Sequence, residues 1–105
     1  MATETEWWSG LCESFEALIA KAGWTLKYLP WEEMPSRYAG CVIPCEQEIL
    51  VAESIGPRRR APEDIAETLL HEYLHAVLPP WLCPESSIER LTRVTLSELT
   101  TKAIR

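Results

Sequence analysis

The sequence predicts an α+β domain of order α-β-β-β-α-α, with a small, mostly antiparallel sheet packed on a long helix and a C-terminal helix closing the other side. Three observations carry this expectation. Apolar residues recur at helical spacing near the start of the chain and again from residue 62 onward. Between those segments lie three short runs of strand-like composition. Proline or glycine marks every junction, and no repeat, low-complexity tract or linker divides residues 1–105, so one domain is expected.

The first helix is expected over 9–22: Ser9 can cap it, Leu11, Phe15, Leu18 and Ile19 share a face, and Gly23 supplies the stop. Trp24 to Leu29 alternates in polarity and reads as a strand. A proline-bracketed loop follows at Pro30 to Ser36. Tyr38 to Ile43 and Glu48 to Glu53 read as two more strands joined by a turn through Pro44 to Gln47, and Gly40 signals a bulge or a close approach by another backbone. Gly56, Pro57 and Arg58-Arg59-Arg60 form a connection. Pro62 suits the first turn of the long helix, with Glu63 and Asp64 favouring its positive end. Its expected buried stripe is Ile65, Leu69, Leu70, Leu74, Val77 and Leu78, and Pro79-Pro80 end it. After Trp81-Leu82-Cys83, Pro84 opens a last helix running to about Ile104.

With 47% hydrophobic residues and five tryptophans in 105 residues, the chain has the composition of a folded globule, and most of the tryptophans are expected in or at the edge of the core. A net charge of −6 argues against non-specific nucleic-acid binding. The arginine cluster reads as a solvated loop first and as a grip on acidic substrate second. No apolar run is long enough for a bilayer and no signal peptide is recognised, so a cytoplasmic protein with no membrane partner is expected. There Cys12, Cys41, Cys45 and Cys83 stay reduced and act as small hydrophobes, since Cys41 and Cys45 lack a second close pair to complete a thiolate site. Oligomeric state is left open by the sequence.

The long helix contains His71-Glu72-Tyr73-Leu74-His75, an HExxH pattern that uses the chain's only two histidines. Imidazoles four residues apart on a helix lie one above the other and can reach one metal ion, zinc by preference. The glutamate after the first histidine projects from an adjoining face, where it can hold and deprotonate a metal-bound water. Two histidines and a water leave a tetrahedral ion one protein ligand short, and no third histidine exists. Carboxylates in the first two turns of the following helix, Glu85 and Glu89, are the nearest candidates. On an apolar arc taken as Ile88, Leu91, Thr92, Leu96 and Leu99, Glu85 falls within the arc and Glu89 at its margin. A first-turn Glu85 is also explained by the helix macrodipole alone, which favours Glu89 as the ligand.

The run Thr68 to Ala76, followed by Ile88-Glu89-Arg90-Leu91, resembles the small zincin-like metallopeptidases of phages and prophages, distant relatives of the ImmA/IrrE and SprT-like groups. The resemblance implies a minimal zincin-like core in which His71, His75 and Glu89 bind Zn2+ and Glu72 is the general base. It implies a zinc-dependent peptidase acting on a peptide or protein substrate, in the host cytoplasm if phage-encoded. The helix-turn-helix and zinc ribbon of the larger relatives are missing. In the expected reaction a substrate pairs with the Tyr38–Ile43 strand, and Tyr38 or Arg58 stands near the oxyanion. The competing readings are a catalytically silent protein of the same fold and a metal-free interaction module binding a host or phage partner.

Overall fold

The computed structural model describes residues 3–78 and 84–104, and within these the chain is α+β, with three helices, a three-stranded sheet and a two-stranded hairpin. Helix α1 spans Glu4–Lys21, five residues earlier than the sequence reading began it. Thr3 is the cap: its side chain accepts the Glu6 amide at 3.1 Å, while Glu4 and Glu6 occupy the electropositive first turn. Ser9 is interior, because Trp8 already contributes to the buried face with Leu11, Cys12, Phe15 and Ile19. Gly23 ends the helix as expected, at φ 88°, letting the Trp24 amide bond back to the Ile19 carbonyl at 3.1 Å.

Strands β1 (Thr25–Leu29), β2 (Gly40–Ile43) and β3 (Glu48–Ala52) form one sheet in the order β1-β3-β2. The expectation of a mostly antiparallel sheet is corrected here: β3 pairs antiparallel with β2 but parallel with β1. The reason lies in composition. Ile49, Leu50, Val51 and Ala52 are apolar without alternation and buried on both faces, so β3 takes the centre. The connection from β1 through two 3-10 turns, Trp31–Glu33 and Pro35–Arg37, is long enough to carry β2 beyond that slot. Gly56 and the first two arginines form a second small sheet instead of a plain loop, with β4 (Ser54–Ile55) antiparallel to β5 (Arg58–Arg59).

Helix α2 spans Pro62–Val77 and carries the histidines; α3 spans Glu85–Ile104. One sheet face, with Leu26, Tyr28, Val42, Ile49 and Val51, packs with α1 and α2 in the main core, and α3 lies against α2. Ile19, Ile49, Val51, Leu69 and Ile88 are fully buried, each contributing about 1.5–3 kcal/mol. The other sheet face, through Leu29, Cys41, Ile43, Leu50 and Ala52, is covered by Trp31 and Met34 from the β1–β2 connection. Trp8 is buried, and Trp7, Trp24 and Trp31 are partly buried against a core, as expected of the tryptophans described. The expected stripe of α2 holds at Leu69 and Leu70, with Ile65 and Leu74 partly buried against the core, while Val77 is 42% exposed. Pro79, Pro80, Trp81 and Cys83 lie outside the described residues.

Cys12 is buried and its thiol donates to the Pro62 carbonyl at 3.3 Å; burial first, then Glu16 and Glu13, push its pKa up to about 11. Cys41 and Cys45 are free thiols as well. Tyr28 donates a short hydrogen bond to Glu16, and burial foremost raises its pKa. Arg60 fastens the sheet to α2. Its Nη1 donates to the carbonyls of Ala39 (3.3 Å) and Ala52 (3.0 Å), and its Nη2 to the Asp64 carbonyl (3.1 Å) and Thr68 Oγ1 (2.6 Å). The third arginine of the cluster is therefore a structural cross-brace, while Arg58 and Arg59 are exposed.

Arg60→Ala should cost about 2–4 kcal/mol in chemical denaturation, since it removes the guanidinium hydrogen bonds to Ala39, Ala52, Asp64 and Thr68 at the β2–α2 junction. Arg60→Lys should recover only a fraction, because an ammonium cannot span both sides of that junction as the planar fork does. Equal stability of Arg60→Ala and the parent would refute the bracing role.

Candidate metal centre and cleft

Helical spacing along α2 brings His71 and His75 together as the sequence requires: the Nε2 atoms are 3.2 Å apart and the rings meet edge to face at 4.8 Å between centroids. The third group is Glu85. Its Oε1 lies 2.7 Å from His71 Nε2 and its Oε2 2.9 Å from His75 Nε2. Glu89, favoured in the sequence because the helix macrodipole alone explains a first-turn Glu85, is not brought to the histidines. It is exposed on the outer side of α3, in a groove with Ser86, Arg90, Arg93 and Val94. The arc was drawn too wide in the sequence: Leu91 is 45% exposed, and the buried line is Ile88, Thr92 and Leu96, which has Glu85 one turn before its start.

The protons of this trio cannot all be placed well. If both imidazoles donate to Glu85, two N–H groups face each other across 3.2 Å. If either Nε2 is unprotonated and does not donate to the carboxylate, its lone pair faces a carboxylate oxygen. With Glu85 ionised, every tautomer leaves one contact of like with like, whereas a shared cation would be met by lone pairs from all three. The 3.2 Å between the Nε2 atoms also suits one, since donors bound tetrahedrally at zinc distances stand about 3.3 Å apart, while the Glu85 oxygens stand closer, at 2.7 and 2.9 Å. His71, His75 and Glu85 can thus hold a metal ion together, with candidate ligand atoms all within 4.8 Å of one another.

Glu72 comes from the same helix but faces the sheet. Its side chain is nine-tenths buried, lies 4.0 Å from His71 Nε2, and takes no hydrogen bond from any described residue. Burial, and secondarily the negative charge of Glu85, push its pKa up to about 7. Such a group holds or releases a proton near neutrality. Gly40 on β2 makes room for it. A Cβ at Gly40 would stand 2.6 Å from Thr68 Cγ2 and 2.8 Å from Glu72 Cγ, so the close approach signalled by this glycine is real, to helix side chains instead of backbone.

A cleft runs between β2 and α2, with Tyr38, Gly40, His71, Glu72 and Glu85 common to its two lobes. One lobe, of about 360 Å3, continues past Ala39, Arg60, Asp64, Glu67 and Thr68. The other, of about 630 Å3, is walled by Val42, Pro44 and His75. Tyr38 is 62% exposed at the mouth, directly after Ser36 and Arg37, which sit at φ 52° and 55°. Arg58 lies apart, on the hairpin with Ile55 and Arg59. Asp64, Glu67 and Thr68 were not read from the sequence as site residues, although their i, i+3/i+4, i+7 spacing to His71 places them on its face of the helix.

Gly40→Ala should destabilise the fold by about 1–3 kcal/mol through overpacking against Thr68 and Glu72, read by urea titration. For Glu72 the sign follows from its raised pKa: the folded state keeps a proton that the unfolded chain releases. Stability of the metal-free protein should therefore fall as pH rises from about 4.5 to about 7, by on the order of 3 kcal/mol. Glu72→Gln should remove that component, and an unchanged pH profile in the variant would contradict it. No protein-family model, curated protein or solved structure matches this chain.

Proposed function

We propose that the chain is a zinc-dependent peptidase with a minimal zincin-like core, in which His71, His75 and Glu85 hold the ion and Glu72 is the general base. The observation that carries the reading is the convergence of both Nε2 atoms and the Glu85 carboxylate on one point beside an open cleft, with a buried carboxyl unused by any other described group. Zinc bound there would polarise a carbonyl and acidify water. The protein supplies the rest. Glu72, held with its proton affinity near neutral pH, takes a proton from the attacking water and returns it to the leaving amine. The edge strand β2 lies beside it, where an extended peptide can pair. Glu85 takes the place that the family resemblance gives to Glu89.

A second reading has its own observation. The 2.7 and 2.9 Å contacts of Glu85 are hydrogen-bond lengths, so a histidine pair clasped by one carboxyl group describes them without an ion, as in a metal-free interaction protein. Metal content separates the two.

Protein purified without added metal should contain about one zinc per chain, and added zinc should raise the melting temperature of chelator-treated protein. His71→Ala and Glu85→Ala should abolish that shift, while Glu89→Ala should leave it intact. Glu72→Gln should keep the zinc and lose at least about 100-fold in cleavage of a quenched fluorescent peptide library. A parent protein that takes up no zinc would favour the clasped-histidine reading, and full activity in Glu72→Gln would refute the base.

A further inference from the structure

The two lobes of the cleft differ in chemistry, and the difference names a class of peptide. The smaller lobe has Asp64, Glu67 and Glu85 on its wall, with Arg60 the only basic side chain among its lining residues. That guanidinium is engaged in donating to Ala39, Ala52, Asp64 and Thr68 oxygens. Asp64 and Glu67 are exposed and form no ion pair with any described residue. The floor is Glu72, nine-tenths buried, unpartnered by any described hydrogen-bond donor and common to both lobes. Across it the larger lobe is walled by Val42 and Pro44, with no arginine, lysine or aspartate among its lining residues.

We infer that this cleft binds an extended peptide with a lysine or arginine side chain in the lobe of Asp64 and Glu67 and an apolar side chain in the lobe of Val42 and Pro44. A cation entering the first lobe gains two carboxylates that form no ion pair with a described residue, and it shares them with Arg60, which already acts on both at longer range. An acidic side chain would meet the same carboxylates at close range. An aliphatic side chain in the second lobe covers Val42 and the proline ring, whose side of the lobe offers a charge no partner; the imidazoles, Glu72 and Glu85 belong to the remaining lining. The inference rests on the proposed peptidase site for its catalytic meaning, but the binding preference itself requires only the cleft.

The test uses the full chain as Glu72→Gln, so that bound peptide is not consumed. Three labelled heptapeptides, identical but for Lys, Ala or Glu beside a fixed Val, are titrated by fluorescence anisotropy. The Lys peptide should bind tightest, and its advantage should shrink in high salt. Adding Asp64→Asn and Glu67→Gln should weaken the Lys peptide by about three- to tenfold and leave the Ala peptide unchanged. Glu67→Gln alone, at an exposed position, guards against a folding artefact and should give part of the loss. Equal affinity for the three peptides, preference for Glu, or no binding of any of them would overturn the inference. If the parent binds the Lys peptide but leaves it uncleaved with zinc present, the peptidase reading falls while the cleft assignment stands.

Discussion

The approach of β2 to α2 at Gly40 is the constraint on which the rest of the molecule depends. The strand lies so near the helix that even a methyl group at this position would enter Thr68 and Glu72. That proximity gives the cleft its floor and buries most of the Glu72 side chain. Arg60 holds it, reaching the Ala39 carbonyl just before β2, the Ala52 carbonyl at the end of β3 and two oxygens of α2 from one planar group. Bulk is excluded at one residue and polar bonding concentrated at another twenty positions away, and together they set one distance.

From that distance follows the electrostatic character of the site. A carboxyl buried without a hydrogen-bond donor prefers its neutral form, and the nearby Glu85 adds to the preference. The histidines on the adjoining face of α2 remain partly open to the cleft, where Glu85 reaches them from the first turn of α3. Two acids thus occupy different environments, one largely buried with its pKa raised, one exposed and clasped between rings. Division of roles between carboxyl groups commonly arises in this way.

Much of this was legible in the sequence because it is local. The histidine pair follows from a four-residue interval, the helix start from Pro62, the stop of α1 from Gly23, and the tight contact at Gly40 from a glycine inside a strand pattern. What was not legible is what depends on the packing of separate elements. Helical phase left Glu85 and Glu89 both open, and only the docking of α3 on α2 places Glu85 at the imidazoles and turns Glu89 outward. Leu91 misled the phase because an apolar side chain on the surface looks, in one dimension, like one in the core. Arg60 was indistinguishable from Arg58 and Arg59 in a basic run, although it alone of the three is drawn inward.

The central position of β3 has a consequence for how the chain acquires its shape. The β2–β3 hairpin closes over a single short turn, so this pair can form early at small entropic cost. The parallel partnership of β1 with β3 can be completed only after the intervening segment has looped around that hairpin. Until then the β1-facing edge of Ile49 to Ala52 offers unsatisfied amides and carbonyls on the most apolar strand of the chain, a template for pairing with another molecule. Slow steps and concentration-dependent misassembly in refolding should therefore trace to the docking of that first strand, far from the histidines.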